Sequence, residues 1–240
     1  MKRVLITGGS GYLGSVITEK LLKNNYEVTI LDNLMYNQTS SIIFSHDKNF
    51  EFIYGDVRNK ELLEHVRYIC ELVEGSNVKV VYPNTNSGYG IGADGECTEE
   101  SPLNPLSHYG VTKVKAEKEV LRIGGISVRL ATVFGTSPRM RMDLLVNDFV
   151  YNVGLSTANL SKQQLVEKIQ EYISDFAVTY SDYFEDPDKR DYIVSNQKIE
   201  DAGWYPEYSL DDGIEELITT YTILIQDLSS KYRNDFPLGY

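Results

Sequence analysis

Cysteine is scarce in this chain of 240 residues, which has only Cys70 and Cys97. The two are not spaced like the ligands of a metal site, and they suggest neither a zinc site nor a disulfide framework. We therefore expect two free thiols and no bound metal. Free thiols indicate a reducing compartment, which favours a cytoplasmic location.

Positive charge is also in short supply. Lysine and arginine total 23 against 35 aspartates and glutamates, which gives a formal net charge of −12. Such an excess of negative charge argues against a general binder of nucleic acid or of an anionic membrane. A substrate that carries phosphate would need basic residues gathered locally at its site.

Long apolar runs are missing as well. No stretch has the length of a membrane-spanning helix. The first apolar run, Val4–Ile6, leads straight into a glycine-rich turn, so we do not expect a signal peptide. The chain does have enough length to bury a sizeable core in one or two domains.

The glycine-rich turn is Thr7–Gly14, which reads TGGSGYLG. It lies between a predicted strand at 4–6 and a predicted helix at 15–23, where a tight turn and a close backbone approach to a pyrophosphate both need glycine. The N–H groups and the positive dipole end of that helix would face the phosphates. The predicted dinucleotide contacts here are Gly8, Gly11, Tyr12 and Leu13. The alternative is a purely structural turn.

Acidic residues follow the next two predicted strands. Asp32 comes directly after a strand at 27–31, where its carboxylate can accept from an adenosine ribose hydroxyl and would repel a 2′-phosphate. This favours NAD over NADP, with Asn33 beside it. Asp56 follows a strand at 51–54 and could accept from the adenine amino group, next to Val57. Helix capping is the alternative for both aspartates.

Three residues point to general base chemistry. Tyr109 and Lys113 are four apart in a predicted helix at 107–122, so they share one face. A nearby ammonium favours the phenolate and lowers the tyrosine pKa, which suits a general base. Thr85 follows a predicted strand at 78–82 and can hold the substrate hydroxyl. The alternative is an ordinary surface pair on a helix.

The remaining segments complete the predicted organisation. Residues 91–105 read as a long acidic loop, a lid or a wall of the site. A strand that contains Arg129 is expected to end at Gly135. Arg139 and Arg141 follow in a basic loop, as ligands of a substrate diphosphate or as solvated arginines that balance an acidic surface. Further predicted elements are helices at 142–151, 161–173 and 212–228 and a strand at 153–155.

Six blocks of this sequence together resemble the extended short-chain dehydrogenases, the NAD-dependent nucleotide-sugar epimerase/dehydratase family. They are Thr7–Gly14, Gly55–Val57, Tyr82–Gly90, Tyr109 with Lys113, Arg129–Gly135 and Gly203–Pro206. The resemblance implies an α/β fold with a Rossmann-like, doubly wound parallel sheet. It implies an NAD-binding domain over residues 1–135 and a small mixed α/β part over 136–240 that binds a nucleotide-diphosphate sugar.

The resemblance also assigns roles to single residues. It makes Tyr109 the general base and Lys113 the partner that also binds the cofactor. Asn86 and Ser87 fall at substrate-contacting positions, and Arg190 falls where family members place an arginine on the nucleotide phosphates. A homodimer is implied too, because the helix that carries the tyrosine often forms the subunit interface in this family.

The residues after Thr85 narrow the expected reaction. Dehydratases of the family resemble one another in a Thr-Asp-Glu triplet, whereas this chain has Asn86 and Ser87 in the last two places. Neither side chain titrates usefully near neutral pH, so we expect hydride transfer, or epimerisation through a keto intermediate, and no dehydration. The strings at 82–90 and 129–145 look closest to a branch that acts on GDP-manno-heptose as a C4 dehydrogenase in capsule biosynthesis.

Two family blocks are missing from this sequence. One is a strand expected between Asp56 and Tyr82, and the other is a longer block expected between Phe149 and Val153. Either the sequence omits segments of a longer chain, or the protein is genuinely shortened. A shortened sheet would expose the edges of its strands. The alternative function is therefore an NAD-binding or scaffold protein with impaired catalysis.

Overall fold

The computed structural model describes residues 2–56, 62–144, 147 and 191–224. Predictions that concern Val57, Arg190, the strand at 153–155 and the helix at 161–173 lie outside these residues, as do most of the helix at 142–151 and the second missing block. Within the described part, no helix combines the length and the apolar character needed to cross a membrane.

The first part of the fold is a three-stranded parallel sheet in the order β1, β2, β3, called here the N-terminal sheet. Its elements are β1 (Arg3–Thr7), helix α1 (Tyr12–Lys23), β2 (Glu27–Asp32), a short 3₁₀ helix (Ser40–Phe44) and β3 (Phe50–Tyr54). Each strand pairs in register with its neighbour, Arg3 with Glu27 and Val28 with Phe50. The predicted alternation of strand and helix is confirmed here.

A small apolar core holds this sheet against α1. Leu22 on the helix and Val28 in the middle strand are buried together with Phe44. The rings of Phe44 and Phe50 lie 5.6 Å apart between centroids and are tilted by 56°, a favourable geometry for an aromatic pair. This core therefore joins α1, β2, the 3₁₀ helix and β3, all within the first 54 residues of the chain.

The second part is a two-stranded parallel sheet, called here the β4–β6 sheet. Its strands are β4 (Val81–Thr85) and β6 (Ile126–Leu130), and the same part of the chain also forms α2 (Leu62–Val73), α3 (His108–Arg122) and β5 (Ile91–Cys97), a strand of another sheet. Val81 pairs with Ile126 and Thr85 pairs with Leu130. Helix α3 packs on α2 and on β4, with Cys70 and Val120 buried and both cysteines free as predicted.

Two predicted strand boundaries in this part are wrong. The strand expected at 78–82 runs from Val81 to Thr85, because pairing with β6 fixes where it begins and ends. The strand expected to reach Gly135 stops at Leu130. Leu130 pairs with Thr85, the last residue of β4, so no partner strand continues beyond it.

The predicted loop at 91–105 is also wrong in its first half. Residues Ile91–Cys97 form β5, which pairs in parallel with β7 (Asp191–Val194). The Ser195 N–H continues the pairing by donating to the Cys97 carbonyl at 2.8 Å. Because β7 lies far along the chain from β5, local sequence pattern could not predict this pairing. This pairing crosses the boundary predicted at residue 135, which stays a prediction.

The last described elements are α4 (Gln197–Asp201) and α5 (Leu210–Leu224). The apolar face predicted for the final helix is confirmed, with Ile214 and Leu217 fully buried and Tyr221 nearly so. The helix begins slightly before the predicted residue 212. Ser209 and Asp212 exchange hydrogen bonds at its start, with the Asp212 N–H donating to Ser209 Oγ at 3.1 Å, as in a capping box.

The two sheets have open edges where one strand is missing. Among the described residues, β1 pairs only with β2 and β4 only with β6, and residues 62–80 contain no strand. Leu5 and Val81 are each 60% exposed, although strands inside a parallel sheet are normally covered on both faces. The fold is therefore of the predicted Rossmann-like α/β class. Its parallel sheet is divided into the N-terminal sheet and the β4–β6 sheet, because the described residues lack the strand of the first missing block.

Candidate cofactor and substrate site

Glycine is required by geometry in the turn after β1. Gly8 has φ +70°, the left-handed region that L side chains rarely adopt. Gly14 lies against the turn, and a Cβ there would come within 2.4 Å of the Gly8 oxygen. The Gly11 N–H donates to that same oxygen at 3.0 Å. These contacts draw the backbone into the tight turn that a pyrophosphate needs.

The start of α1 fits a phosphate through its backbone. The N–H groups of Tyr12 and Leu13 donate to no acceptor among the described residues, and they lie at the positive end of the helix dipole. The Tyr12 side chain points elsewhere, because its hydroxyl donates to the Gly135 oxygen at 2.6 Å. Burial raises the Tyr12 pKa to about 12, partly offset by a hydrogen bond from Asn147.

Asp32 ties the glycine turn to the loop after β2. Its Oδ2 accepts from the Ser10 N–H at 3.0 Å, and its Oδ1 accepts from the Leu34 N–H at 2.9 Å and from Gln38 Nε2 at 3.2 Å. A carboxylate oxygen accepts about two hydrogen bonds, so Oδ2 retains a position for a ribose hydroxyl. The predicted ribose contact is compatible with this arrangement and stays a prediction.

The predicted adenine end is built from two loops that meet. Asn33 Nδ2 donates to Asp56 Oδ2 at 2.7 Å, and the Gly55 N–H donates to the main-chain oxygen of Asp32 at 3.0 Å. The loops after β2 and β3 are therefore held side by side at the carboxyl edge of the sheet, where cofactors bind in folds of this class. The roles of Asn33 and Asp56 stay predictions.

Lysine 113 lies between two tyrosine rings. Its Nζ is 4.6 Å from the ring centroid of Tyr82 and 5.8 Å from that of Tyr109. Burial lowers the Lys113 pKa. Burial also raises the pKa of Tyr82 to about 12, with further contributions from Tyr109 and Glu117. The expected proximity of Tyr109 and Lys113 is confirmed, and Tyr109 is 53% exposed.

The ammonium of Lys113 also uses a carbonyl on the open edge of β4. The Ile126 N–H donates to the Val80 oxygen at 2.8 Å, so the carbonyls of alternate residues face β6 and that of Pro83 faces away. Lys113 Nζ donates to this Pro83 oxygen at 2.8 Å. It therefore takes an acceptor that a neighbouring strand would otherwise use, next to the end of β4 that carries Thr85.

Thr85 caps a short turn that holds Asn86 and Ser87. Its Oγ1 accepts from the Ser87 N–H at 3.1 Å and donates to Ser87 Oγ at 2.9 Å. Both following residues are buried, and Asn86 Oδ1 has no donor among the described residues. The structure thus places Thr85, Asn86 and Ser87 together on one turn, beside the helix that carries Tyr109 and Lys113.

A buried ion pair below this site was missed by the sequence analysis. Glu117, almost wholly buried, accepts from Arg129 Nη2 at 2.7 Å and from Asn84 Nδ2 at 2.6 Å. Arg129 Nη1 also donates to the Tyr89 hydroxyl at 2.9 Å. Burial alone would raise the Glu117 pKa, but hydrogen bonds from Arg129, Ser127 and Asn84 outweigh it and lower the pKa.

The spacing of Glu117 in the sequence gave one sign of its position next to the site. Glu117 follows Lys113 by four residues, as Lys113 follows Tyr109, so all three share one face of α3. Because Glu117 belongs to a helix rich in charge, its sequence context indicates a solvated face. Its burial depends on an arginine from β6, which the periodicity of the helix cannot show.

The two candidate diphosphate arginines differ in their surroundings. Arg139 is buried, its guanidinium 5.8 Å from the Tyr36 ring and donating to the Met140 oxygen. The alternative of a solvated arginine is therefore wrong for Arg139. Arg141 faces the Asp143 carboxylate, with Nε 3.1 Å from each oxygen, so much of its charge is already balanced. Their proposed role at a diphosphate stays a prediction.

The described residues contain no cluster of histidine, cysteine, aspartate and glutamate suited to a metal ion. The candidate site consists of the glycine turn, the acids after β2 and β3, and the tyrosine and lysine of α3. The donor N–H groups of α1 and the glycine-rich turn fit the pyrophosphate of NAD.

Comparison with known proteins agrees with this arrangement. The model of the NAD dependent epimerase/dehydratase family matches residues 4–66 and 61–161. The chain is 24% identical to a putative UDP-glucose 4-epimerase of Methanocaldococcus jannaschii, over 90% of this chain and 97% of that protein. It is also 24% identical to low-salt glycan biosynthesis protein Agl12 of Haloferax volcanii, over 91% and 98%.

Solved structures share the fold. A UDP-glucuronic acid 4-epimerase from Bacillus cereus in complex with NAD superposes with a TM-score of 0.74 at 19% identity, over 93% of this chain and 99% of that one. A dTDP-glucose 4,6-dehydratase from Bacillus anthracis in complex with NAD gives a TM-score of 0.74 at 20% identity, over 95% and 98%.

The same comparisons locate the missing segment. The alignment with the first relative extends over 299 positions, more than the 240 residues of this chain, so part of the relative has no counterpart here. The family model matches in two pieces that overlap at residues 61–66, at the start of α2 (Leu62–Val73), so the break in the match falls between β3 and β4, where the first missing block was expected. With its glycine turn, acids and Tyr109–Lys113 pair in place, the chain belongs to the NAD dependent epimerase/dehydratase family.

Proposed function

We propose that this protein oxidises a nucleotide-activated sugar at C4 by hydride transfer to NAD. The observation that carries the proposal is the position of Lys113, whose ammonium lies 5.8 Å from the Tyr109 ring and beside the strand end that bears Thr85. A cation that close favours a phenolate over a phenol. A phenolate at the open rim of the sheet is suited to take the proton of a sugar hydroxyl.

Each residue then has a defined task. NAD, held by the glycine turn and the start of α1, would supply the acceptor for the hydride of the sugar carbon. The Tyr109 oxygen takes the hydroxyl proton, so that the alcohol becomes a ketone. Lys113 stabilises the negative charge of Tyr109 and would exchange its bond with Pro83 for the ribose hydroxyls of the cofactor. Thr85 holds the reacting hydroxyl in line.

The product is a ketone or, if the hydride returns to the other face, an epimer. The named functions of relatives favour epimerisation of a UDP-sugar, since they include a UDP-glucose 4-epimerase and UDP-arabinose 4-epimerases of Arabidopsis thaliana. The strings at 82–90 and 129–145 favour a GDP-heptose 4-dehydrogenase with a role in capsule biosynthesis. Asn86 and Ser87 argue against dehydration in either case, because neither serves as an acid or a base near neutral pH.

The substitution Tyr109→Phe tests the proposal directly. It removes the proton acceptor and leaves the ring and Lys113 in place, so sugar oxidation should fall by about 10²–10⁴-fold, the usual contribution of a general base. Affinity for NAD should stay the same. Tyr205→Phe, at an exposed tyrosine outside the site, is the matched control and should retain full activity. Unchanged turnover in Tyr109→Phe would overturn the assignment.

A second function is favoured by the open sheet edges. Leu5 and Val81 are exposed where a supporting strand is absent, and Lys113 is engaged with Pro83. A chain with these features would suit an NAD-binding or scaffold protein with impaired catalysis. Calorimetric titration separates the two: tight NAD binding without reduction on addition of UDP-glucose, UDP-glucuronic acid or GDP-manno-heptose favours the scaffold.

We also infer a homodimer. Helices α2 and α3 pack together and are joined by an ion pair between Glu74 and Arg122 at 2.5 Å. Their outer surface exposes Tyr68, Leu72 and Leu121, which would be covered by the same helices of a second copy. Sizing with multi-angle scattering should give twice the monomer mass, and Leu72→Glu should give a monomer. A monomeric wild-type peak would contradict this inference.

A cytoplasmic location is part of the proposal, since both cysteines are free and buried.

A further inference from the structure

A fully buried asparagine joins three parts of the molecule. Asn147 Oδ1 accepts from the Gly135 N–H at 3.1 Å, and its Nδ2 donates to the Tyr12 hydroxyl at 3.0 Å and to the Arg141 oxygen at 2.8 Å. Its main-chain oxygen accepts from the Tyr221 hydroxyl at 2.7 Å. The side chain of Asn147 thus contacts the start of α1 and the segment after β6. Its main chain contacts α5.

A buried serine makes a second connection between two of these parts. Ser137 Oγ donates to the Tyr12 oxygen at 2.8 Å and lies 2.9 Å from Ser15 Oγ. The same oxygen accepts from the Arg139 N–H at 3.1 Å. Asn147, Ser137 and Tyr12 are called the Asn147 latch below. The latch fixes the first turn of α1 to residues 135–141.

The latch lies between the two candidate binding regions. On one side is the first turn of α1, whose free N–H groups fit the cofactor phosphates. On the other side are Arg139 and Arg141, the candidate ligands of the substrate diphosphate, and the latch bonds both of their backbones. A shift of the backbone at Arg139 or Arg141 would therefore strain its hydrogen bond to Ser137 or Asn147, and both of these residues bond Tyr12 at the start of α1.

Burial makes this connection stiff. Asn147 is 0% exposed and Ser137 is 5% exposed, so a broken bond there leaves a polar group without water to replace its partner. Such an unpaired buried group is costly, and a network of satisfied bonds in a low dielectric holds one arrangement. A displacement at either end is therefore passed on to the other end instead of being absorbed.

We propose that the Asn147 latch couples nucleotide-sugar binding to NAD binding, with Asn147 and Ser137 as positioning residues. A shift of residues 135–141 on binding of the nucleotide diphosphate is then transmitted through the latch to the first turn of α1, where the pyrophosphate of NAD would bind. Coupling of this kind is reciprocal, so each ligand raises the affinity for the other by the same factor. The inference rests on the proposed function, because it takes NAD and a nucleotide diphosphate as the ligands.

The experiment is a calorimetric titration of NAD into the full chain, with and without saturating UDP as the probe. Wild-type protein should bind NAD more tightly with UDP present, by roughly five-fold or more, the lower range of typical coupling. Asn147→Ala should lower that ratio to near one. Asn24→Ala is the matched control, because Asn24 caps the far end of α1, where its side-chain amide donates to the Lys20 main-chain oxygen; it should keep the wild-type ratio.

A purely structural role would weaken each affinity or lower the melting temperature without changing the ratio, so the ratio is the decisive readout. If Asn147→Ala fails to fold, Ser137→Ala gives the decision, since it removes one oxygen from the latch and should reduce the ratio. A wild-type ratio of one, or a wild-type ratio retained in the folded variants, would overturn the latch while leaving the proposed function intact. Failure of the wild-type chain to bind NAD or UDP at all would overturn the proposed function itself.

Discussion

The N-terminal sheet and the β4–β6 sheet are held together by different means. The first relies on a small apolar core, with Leu22 of α1 packed on Val28, and its strands follow one another directly in the chain. The second relies on the buried pair of Glu117 and Arg129, which fastens α3 to β6 beneath the site. The comparison teaches that apolar packing holds the N-terminal sheet and that a buried charge pair holds the β4–β6 sheet.

Removal of the buried pair should have the largest effect. Glu117→Ala removes the carboxylate to which the partly buried Arg129 and the buried Asn84 both donate, a loss that for a buried pair costs roughly 3–5 kcal/mol, and it should also displace Lys113 on the same helix. Glu51→Ala is the matched change in the N-terminal sheet, where Glu51 accepts from Thr29 at an exposed position, and it should cost about 1 kcal/mol or less. Urea unfolding of both variants measures the difference; equal losses would remove the distinction between the two sheets.

A change in the glycine turn should follow in size. Gly14→Ala forces a methyl group against the Gly8 oxygen, which should cost about 1–3 kcal/mol and weaken NAD binding at least ten-fold. Gly124→Ala, at φ +73° in open space, should cost about 1–2 kcal/mol without changing NAD affinity. Denaturant unfolding and calorimetry give both quantities. Equal NAD affinity in the two variants would contradict the role of the turn.

Low pH should destabilise the β4–β6 sheet before the N-terminal sheet. The folded-state pKa of Glu117 is lowered, so the stability contributed by its ion pair is present above its ordinary pKa of about 4.5 and is lost as the pH falls through the lower folded value. Hydrogen exchange measured by mass spectrometry should show β4 and β6 losing protection below about pH 4.5 before β1–β3. Glu117→Gln should flatten this dependence, and simultaneous loss in both sheets would contradict it.

The smallest effect concerns the open edge of β4. The nitrogen of Pro83 faces away from β6, so an alanine N–H there gains only water, and Pro83→Ala should destabilise by no more than about 1 kcal/mol through the freer unfolded chain. If a strand did cover this edge, the new N–H would find a partner and the variant would gain about 0.5–1.5 kcal/mol. Urea unfolding distinguishes a small loss from a gain.

The same contrast explains what sequence could predict. The order β1, α1, β2, β3 and the glycine turn follow from short-range pattern, and so do the shared helix face of Tyr109 and Lys113 and the helix without a following strand in the described residues 62–80. The pairing of β5 with β7 and the bond between Glu117 and Arg129 join distant parts of the chain. Both are decided by the assembled fold. Local pattern therefore predicted a loop where β5 forms, and the charged context of Glu117 gave no sign that its side chain is buried.

The central claim is that hydride passes from a sugar carbon to NAD while Tyr109 takes the proton. The most direct measurement is a single turnover of the full chain with NAD and a nucleotide sugar deuterated at C4, with UDP-glucose, UDP-glucuronic acid and GDP-manno-heptose tested in turn. Mass spectrometry should find the deuterium in the reduced nicotinamide with wild-type protein and not with Tyr109→Phe. No deuterium in the nicotinamide with any of these sugars, despite tight binding of NAD and sugar, would contradict the claim.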